Sequence, residues 1–301
     1  MTDVGISGGL SIDHVVTAPT GARFDRLGGP ALYAALGAGL VAGTRVRLHT
    51  ALPRSTPAFA LTLRAAGVDL TSCSEVPDVP RLWILNSAQG RRIVPTTPPP
   101  GLELDGPAHE PDQYDTQPSP PAAFLRELDG VLFCAPRAIP TPPDGPIVGV
   151  DPDQREVLSR GAEYWHALAV AGGVLLPSRI QLTAIDPDPR QGAQRLAGST
   201  GVAVAARLDS AGAYAVDPAG RGWTIRDEHA EVVDTTGAGD TSAGAIVAAL
   251  AAGADLPTAT ALGVSAARVV LSGWGHTALT RHPPLTGPLP GVCVTPHPGA
   301  S

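Results

Sequence analysis

The chain has 301 residues, 43% of them hydrophobic and 16% charged, with 35 Gly, 32 Pro and a formal net charge of −7. That length supports one large domain or two modest ones, no stretch approaches the roughly 18 apolar residues of a membrane helix, and the acidic balance opposes a surface built to neutralise nucleic-acid phosphates. All 21 basic residues are Arg, which excludes chemistry that needs a lysine, whether a Schiff base or the ammonium of a phosphate-binding loop. Met1-Thr2-Asp3 does not open as a secretory signal, so a cytoplasmic address is expected. Cys73, Cys134 and Cys293 lie far apart and form no metal-ligand pair, so three reduced thiols are expected.

Along the chain, short β-like runs alternate with Ala- and Leu-rich helical ones, the pattern of a layered α/β fold. Gly29 to Leu36 reads as a helix with Pro30 in its first turn, stopping near Gly43, and Arg45 to Thr50 follows as a strand. Thr56 is placed as the cap of a helix that begins with Pro57 and ends at Gly67, and Val68 to Cys73 as the returning strand of a βαβ unit. Arg81 to Asn86 and Arg91 to Val94 flank a turn and predict a β-hairpin, whereas Pro95 to Pro121 is too rich in proline for helix or central strand and reads as a surface excursion. A helix over Ala122 to Leu128, ended by Gly130, leads to buried strands at Val131 to Ala135 and Ile147 to Val150. The second half predicts central strands at Gly173 to Leu176 and Val202 to Leu208, with helices starting near Ser178 and Pro189. A hairpin over Ala213 to Val216 and Trp223 to Arg226 precedes two long helices, from about Asp240 and about Pro257.

The sharpest chemical feature is Asp234-Thr235-Thr236-Gly237-Ala238-Gly239-Asp240-Thr241-Ser242-Ala243-Gly244, at the passage from a polar turn into an Ala-rich helix. Small residues at a helix N-terminus leave backbone N–H groups and the positive end of the dipole open to an anion. Asp240 then has two readings: an acid that complements the dipole, or a base aimed at whatever the anion site holds. The dinucleotide fingerprint Gly-x-Gly-x-x-Gly fails, because the third glycine comes too late and the motif lies near the C-terminus.

This string, with Gly28-Gly29 near the N-terminus and Asp151-Pro152-Asp153-Gln154-Arg155 between them, resembles the PfkB or ribokinase-like carbohydrate kinases over most of the chain. The resemblance implies a single three-layer α/β domain over residues 1–301, a mostly parallel sheet between helices, with a small, reduced β lid from about 14–27 and 81–96. It implies an ATP- and Mg²⁺-dependent kinase acting on a hydroxyl of a sugar or cyclitol, with a nucleoside as the alternative acceptor. Asp240 would be the general base and the amides of Gly237, Ala238 and Gly239 the anion hole. Asp13, Gly28, Gly29 and Tyr33 would bind the substrate, and Arg207, Asp209, Ser265 and Gly275 the nucleotide. Asp234, Thr236, Ser178 and Gln181 would handle metal, the first two a monovalent cation such as K⁺. A monomer or homodimer, with a small polyol and ATP as its only partners, completes the expectation.

Three positions depart from that pattern. Tyr33 stands where an Asn is usual, so the pocket differs from a ribose pocket, and an aromatic there suggests stacking on a ring. Ser178 and Gln181 stand for an Asn and a Glu; losing the carboxylate weakens metal handling, and a plain capped helix start is the competing reading. Arg207 replaces the usual nucleotide-strand residue and is either a phosphate ligand or a strand-end surface charge. A catalytically weak binding protein on the same fold is the rival from another class.

Overall fold

The computed structural model describes residues 1–18, 21–87, 90–96, 119–139 and 145–297. Most of the proline-rich excursion and the tip of the 81–96 hairpin therefore lie outside the described residues. The order is β1 (Thr2–Ser7), β2 (Ser11–Thr17), β3 (Gly21–Gly28), α1 (Pro30–Gly39), β4 (Thr44–His49), β5 (Ala51–Pro53), α2 (Ala58–Ala65), β6 (Ser74–Val76), β7 (Arg81–Ser87) and β8 (Gly90–Pro95). Then come α3 (Ala122–Leu125), β9 (Gly130–Cys134), β10 (Ile147–Asp151), α4 (Gln154–Arg160), α5 (Ala162–Leu168), β11 (Val174–Leu175), α6 (Arg179–Thr183), α7 (Pro189–Thr200) and β12 (Ala203–Arg207). The chain closes with β13 (Ala213–Val216), β14 (Gly222–Asp227), α8 (Ala238–Ala251), α9 (Leu256–Leu271), α10 (Thr277–Arg281) and β15 (Val292–His297).

Nine strands form the central sheet in the order β15-β14-β13-β12-β11-β10-β9-β1-β4. The run from β12 to β4 is parallel, and β13, β14 and β15 extend it antiparallel. Side chains alternate across this sheet, as the two-residue period of a strand requires. Val4, Ile6 and Leu132 pack with α1, α8 and α9 on one face; Val131, Phe133, Val148 and Val150 pack with the elements of residues 154–202 on the other. The three-layer expectation is met. A second, four-stranded sheet has the order β3-β2-β7-β8. Its β2–β7 pairing is parallel, so the 81–96 hairpin is held beside the first strands of the chain.

Two local expectations fail. The stretch Val68 to Cys73 is not a strand of the central sheet: beyond a single bridge from Asp69 to Arg47, the chain turns at Thr71 and pairs β6 with β5 in a separate two-stranded sheet. The helix expected to reach Leu128 stops at Leu125, and Glu127 takes a positive φ of 62° that no helix continues. The C-terminal strand β15, which carries little β signal with Pro296 in it, is a sheet edge where a proline costs no ladder bond.

Helix α8 is buried on nearly every side, so it is apolar all round instead of striped. Glycines make its contacts. A Cβ on Gly149 of β10 would lie 2.2 Å from Val247, one on Gly37 of α1 2.2 Å from the Thr241 carbonyl oxygen, and one on Gly244 of α8 2.1 Å from the Ala34 carbonyl oxygen. Backbone therefore meets backbone between α1 and α8, leaving no side chain to yield. Gly244→Ala is expected to lower the unfolding free energy in urea by about 2–3 kcal/mol. Gly198→Ala, in an exposed turn of α7 with nothing within 4 Å, is expected to raise it by about 0.5–1 kcal/mol.

Candidate active site

The parallel strands end together at one edge, where β9 delivers Cys134, β10 delivers Asp151 and β12 delivers Arg207. Open α/β sheets bind ligands outside the carboxyl ends of their strands. Here α1 and α8, pinned to each other, point their N-termini to that same edge. Among helices of ten residues or more, α7 and α9 are capped by Asp188 and Asp255, whose side chains accept from Arg190 N and Thr258 N. In contrast, α1 and α8 start from glycines, Gly29 with φ 92° and Gly237 with φ 77°, and no side chain caps either. The Ala238 N–H is directed at the Thr235 carbonyl at 3.3 Å, so this member of the expected anion hole is partly engaged by the turn itself.

Asp240 sits half-buried in the first turn of α8. Burial, then the Asp151 charge, pushes its carboxyl up to about 6, against the pull of Arg207 and Arg91. Beside it Arg207 grips Asp151 in a bidentate pair, Nη1 to Oδ2 at 2.8 Å and Nη2 to Oδ1 at 2.5 Å, and Nη2 also donates to the Leu176 carbonyl. Arg207 is thus a largely buried counter-ion and not a surface charge. A Cβ on Gly239 would stand 2.8 Å from its Nη1, so the guanidinium lies against the start of α8.

Asp13 reaches the site from β2 and is 2% exposed. Its Oδ1 accepts from the Ser11 hydroxyl at 2.7 Å, and a Cβ on Gly28 would fall 1.8 Å from Oδ2, so the glycine is required by the carboxylate. Burial dominates and pushes Asp13 up to about 7, with Asp240 and Asp234 adding to the rise and Arg91 opposing it. Gly29 is as confined, its Cβ position lying 2.6 Å from the Leu10 Cα.

Several expected ligands have other partners. Tyr33 is 2% exposed; a Cβ on Gly237 would lie 2.2 Å from its ring, so the ring is packed under the turn and is not a platform for stacking. Burial, then Asp13, Asp234 and Asp240, holds its phenol well above the usual value. Ser178 and Gln181 form a reciprocal capping box, and Gln181 Nε2 donates to the Pro152 carbonyl at 2.8 Å. The capped helix start engages both side chains, in place of the metal role that the family resemblance implies for them. Asp234 Oδ1 accepts from the Thr236 N–H and hydroxyl, and Oδ2 from the Gly275 N–H at 3.3 Å. Ser265 is fully buried, donating to Ala261 O and accepting from Leu289 N, so its hydroxyl serves helix packing. Asp209, at φ 53°, pairs with Arg179 on the surface. Gly275, at φ 65°, does reach the site: a Cβ there would stand 3.7 Å from the Tyr33 hydroxyl. No group of three acidic, His or Cys side chains suited to a metal occurs among the described residues. Nor, among them, is any helix long and apolar enough to cross a membrane.

The sequence reading missed Arg26, Arg91 and His276. Arg26 pairs directly across from Asp13 in the β2–β3 ladder, so the two share a face of the small sheet. The charge of Arg91 bears on both Asp13 and Asp240. For the two arginines strand alternation was the available signal, since Leu82 and Ile84 are buried on the inner face, whereas His14, Phe24 and Trp83 cluster on the other; His276 lies in a turn and had none.

A raised folded-state carboxyl means that the folded chain binds the extra proton between about pH 4 and 7, so Asp13 costs stability as pH rises through that window. Asp13→Asn is expected to match the parent in urea near pH 4.5 and to exceed it near pH 8, by on the order of 3 kcal/mol. An equal midpoint at both pH values would contradict the burial of that carboxylate.

Residues 182–281 match the model of the pfkB family carbohydrate kinases. Among solved structures, the chain is similar to ribokinase from Cryptococcus neoformans var. grubii serotype A in complex with ADP: 18% identity, 93% of this chain and 97% of that one, TM-score 0.68. It is similar too to aminoimidazole riboside kinase from Salmonella enterica, solved with aminoimidazole riboside and an ATP analog, at 17% identity over 92% and 96% of the two chains with a TM-score of 0.69. Fructokinase from Vibrio cholerae O395, with fructose, ADP and calcium bound, gives 17%, 93%, 96% and 0.65. No curated protein sequence matches. Residues 182–281, with the Gly-Ala-Gly-Asp turn among them, are thus similar to the pfkB family carbohydrate kinases, and the fold that carries them is ribokinase-like.

Proposed function

We propose that this protein is an ATP-dependent kinase that phosphorylates a hydroxyl of a small polyhydroxylated molecule. The observation that carries the reading is Asp240, a carboxylate raised to about 6 in the first turn of a long helix that no side chain caps. A base poised near neutral pH beside open helix amides suits removal of a hydroxyl proton as a phosphoryl group arrives. Asp13 would hold the acceptor hydroxyls, and the α8 dipole, with Arg207 against its first turn, would favour charge on the transferring group. Asp151 keeps that guanidinium in place, since a bidentate pair fixes orientation as well as charge.

The small sheet would act as the lid over this edge and keep water from the phosphoryl group. Its position supports the role: Asp13 and Arg26 face inward from it, and the Gly28-Gly29 link runs directly into α1. The described side chains do not build an acidic cage for a divalent ion, so Mg²⁺ would come with the nucleotide phosphates and not from a protein site. Similarly, Asp234 is engaged by Thr236 in its own turn and by the Gly275 N–H. The ADP and ATP-analog complexes among the similar structures agree with ATP as donor, and a sugar or cyclitol is the preferred acceptor class.

Asp240→Asn is expected to lower turnover about 10²- to 10⁴-fold while ATP affinity stays within a few-fold, measured by coupled ADP release and by nucleotide titration. In the parent, the turnover rate should rise with pH through about 6 as the base loses its proton. Undiminished turnover in Asp240→Asn would remove Asp240 from the mechanism. Absent turnover in both, with retained ligand-induced thermal stabilisation, would assign the fold to binding alone.

A further inference from the structure

Three strand ends and one helix start meet around a single guanidinium. The Arg207 backbone is fixed first, its N–H donating to the Pro177 carbonyl at 2.9 Å. From the end of β12 the side chain reaches over β11 to β10: Nη1 and Nη2 hold the two Asp151 oxygens, and Nη2 also donates to the Leu176 carbonyl just beyond β11. The Asp151 side chain is only 12% exposed, so the pair is shielded from water as well as geometrically fixed. So held, the guanidinium lies against Gly239, where a Cβ would stand 2.8 Å from Nη1. Gly239 precedes Asp240, and the pair therefore abuts the first turn of α8 at the candidate base itself.

The other groups that face Asp240 are Asp13 of β2, Tyr33 of α1, Arg91 of β8 and Cys134 of β9. Burial holds the phenol and the thiol well above their usual values, so both are neutral near pH 7. Arg91 is exposed, where water and salt screen its charge. Asp13, itself raised, carries only part of a charge near neutral pH. That leaves the two members of the buried ion pair, one of each sign, with little solvent between them and Asp240. Their effects oppose: the Asp151 charge disfavours ionisation of Asp240 and the Arg207 charge favours it.

We propose that Asp151 and Arg207 are a positioning pair for the base: Arg207, held by Asp151, fixes the first turn of α8 at Gly239, and their opposed charges together set how readily Asp240 takes a proton, without either touching the substrate. A lysine could not serve in place of Arg207, because one ammonium does not hold both Asp151 oxygens and the Leu176 carbonyl in a single plane. This inference rests on the proposed kinase reading, in which Asp240 is the base, and adds two residues that act through it.

The test has two readouts in the full chain. One is kcat/KM for ADP release between about pH 5 and 8 with MgATP and the best acceptor of a sugar, cyclitol and nucleoside panel, which reports the free enzyme's base. The other is the carbon NMR titration of the Asp240 carboxyl in aspartate-labelled protein without ligand, the signal being assigned by its absence in Asp240→Asn. Asp13 titrates in the same range, so the carboxyl signal assigns the rate limb to Asp240. Asp151→Asn should move both midpoints about one pH unit to the acid side, because an anion is lost and the cation stays. Arg207→Gln should move them about as far to the alkaline side, and the double variant, which loses one charge of each sign, should return to within about half a unit of the parent. Should Arg207→Gln not fold, the step from Asp151→Asn to the double variant removes the same cation and should be alkaline. Arg207→Lys should keep the midpoint near the parent's while lowering the plateau about 10- to 100-fold, because the charge returns without the two-point hold. Asp151→Asn and the loss of the Arg207 cation moving the midpoint the same way, or rate losses with an unmoved midpoint, would reduce the pair to scaffolding and overturn the inference while leaving the kinase reading intact. Opposite movements of the carboxyl signal without ADP release from any form would uphold the pair and overturn the kinase reading. An unmoved carboxyl signal overturns the inference whether or not ADP is released.

Discussion

Everything at this site depends on how closely α1 approaches α8. Gly37 meets the Thr241 backbone and Gly244 meets the Ala34 backbone, each at a separation that a single methyl group would prevent. That contact sets two helix N-termini side by side at the carboxyl edge of the sheet, one introduced by Gly29 and the other by Gly237. Glycines in the sheet extend the same logic, since Gly149 lets Val247 of α8 sink toward β10. Close packing of this kind transmits position, because interiors at crystal-like density have no slack to absorb a shift. The cradle of Tyr33 under Gly237 belongs to the same arrangement: the phenol ring fills the space that a side chain at 237 would need.

On that frame the electrostatics are a balance of buried opposites. Asp13, Asp151, Asp234 and Asp240 converge from three parts of the chain, and the first three are nearly inaccessible. Isolated, such charges would be prohibitive to bury. Arg207 neutralises Asp151 outright, two backbone N–H groups and a hydroxyl satisfy Asp234, and the remaining two stay partly protonated near neutral pH. In a chain without lysine every compensating cation is a guanidinium, which keeps its proton under all ordinary conditions and imposes a planar direction on its partner. The arginines therefore take no part in proton uptake and release at the site, which leaves Asp13 and Asp240 as the carboxylates that exchange protons near neutral pH. The stability that burial costs here is what places two of them in the range where they exchange protons.

Local sequence was a sound guide wherever the physics was local. The period-2 and helical runs located most strands and helices within a residue or two, Pro30 and Pro189 marked helix starts, and the polar turn before Asp240 marked the uncapped N-terminus of α8. It misled where a residue's partner lies far along the chain. Ser178 and Gln181 fall where the family resemblance implies metal handling, but their spacing is that of a capping box, and Pro152 claims the Gln181 amide. Ser265 and Leu289 are remote in sequence, so nothing near Ser265 announces that its hydroxyl is already engaged. The Val68 to Cys73 run had strand composition, yet the β4 edge offers it one bridge only before the chain turns away.

From the sequence alone follow the layered α/β class, the anion-receptive turn at Gly237 to Gly239 and the candidacy of Asp240, because each rests on periodicity or on residues adjacent in the chain. The tertiary structure decided which charges meet. Asp151 and Arg207 are brought together from the ends of β10 and β12, Asp13 and Arg26 by the β2–β3 ladder, and Arg26 and Gly275 from opposite ends of the chain. Whether an arginine is a solvated surface group, a fixed counter-ion or a ligand-facing donor is set by its neighbours in space. No local pattern records them, because strand order and helix contact place side chains together irrespective of their separation in sequence.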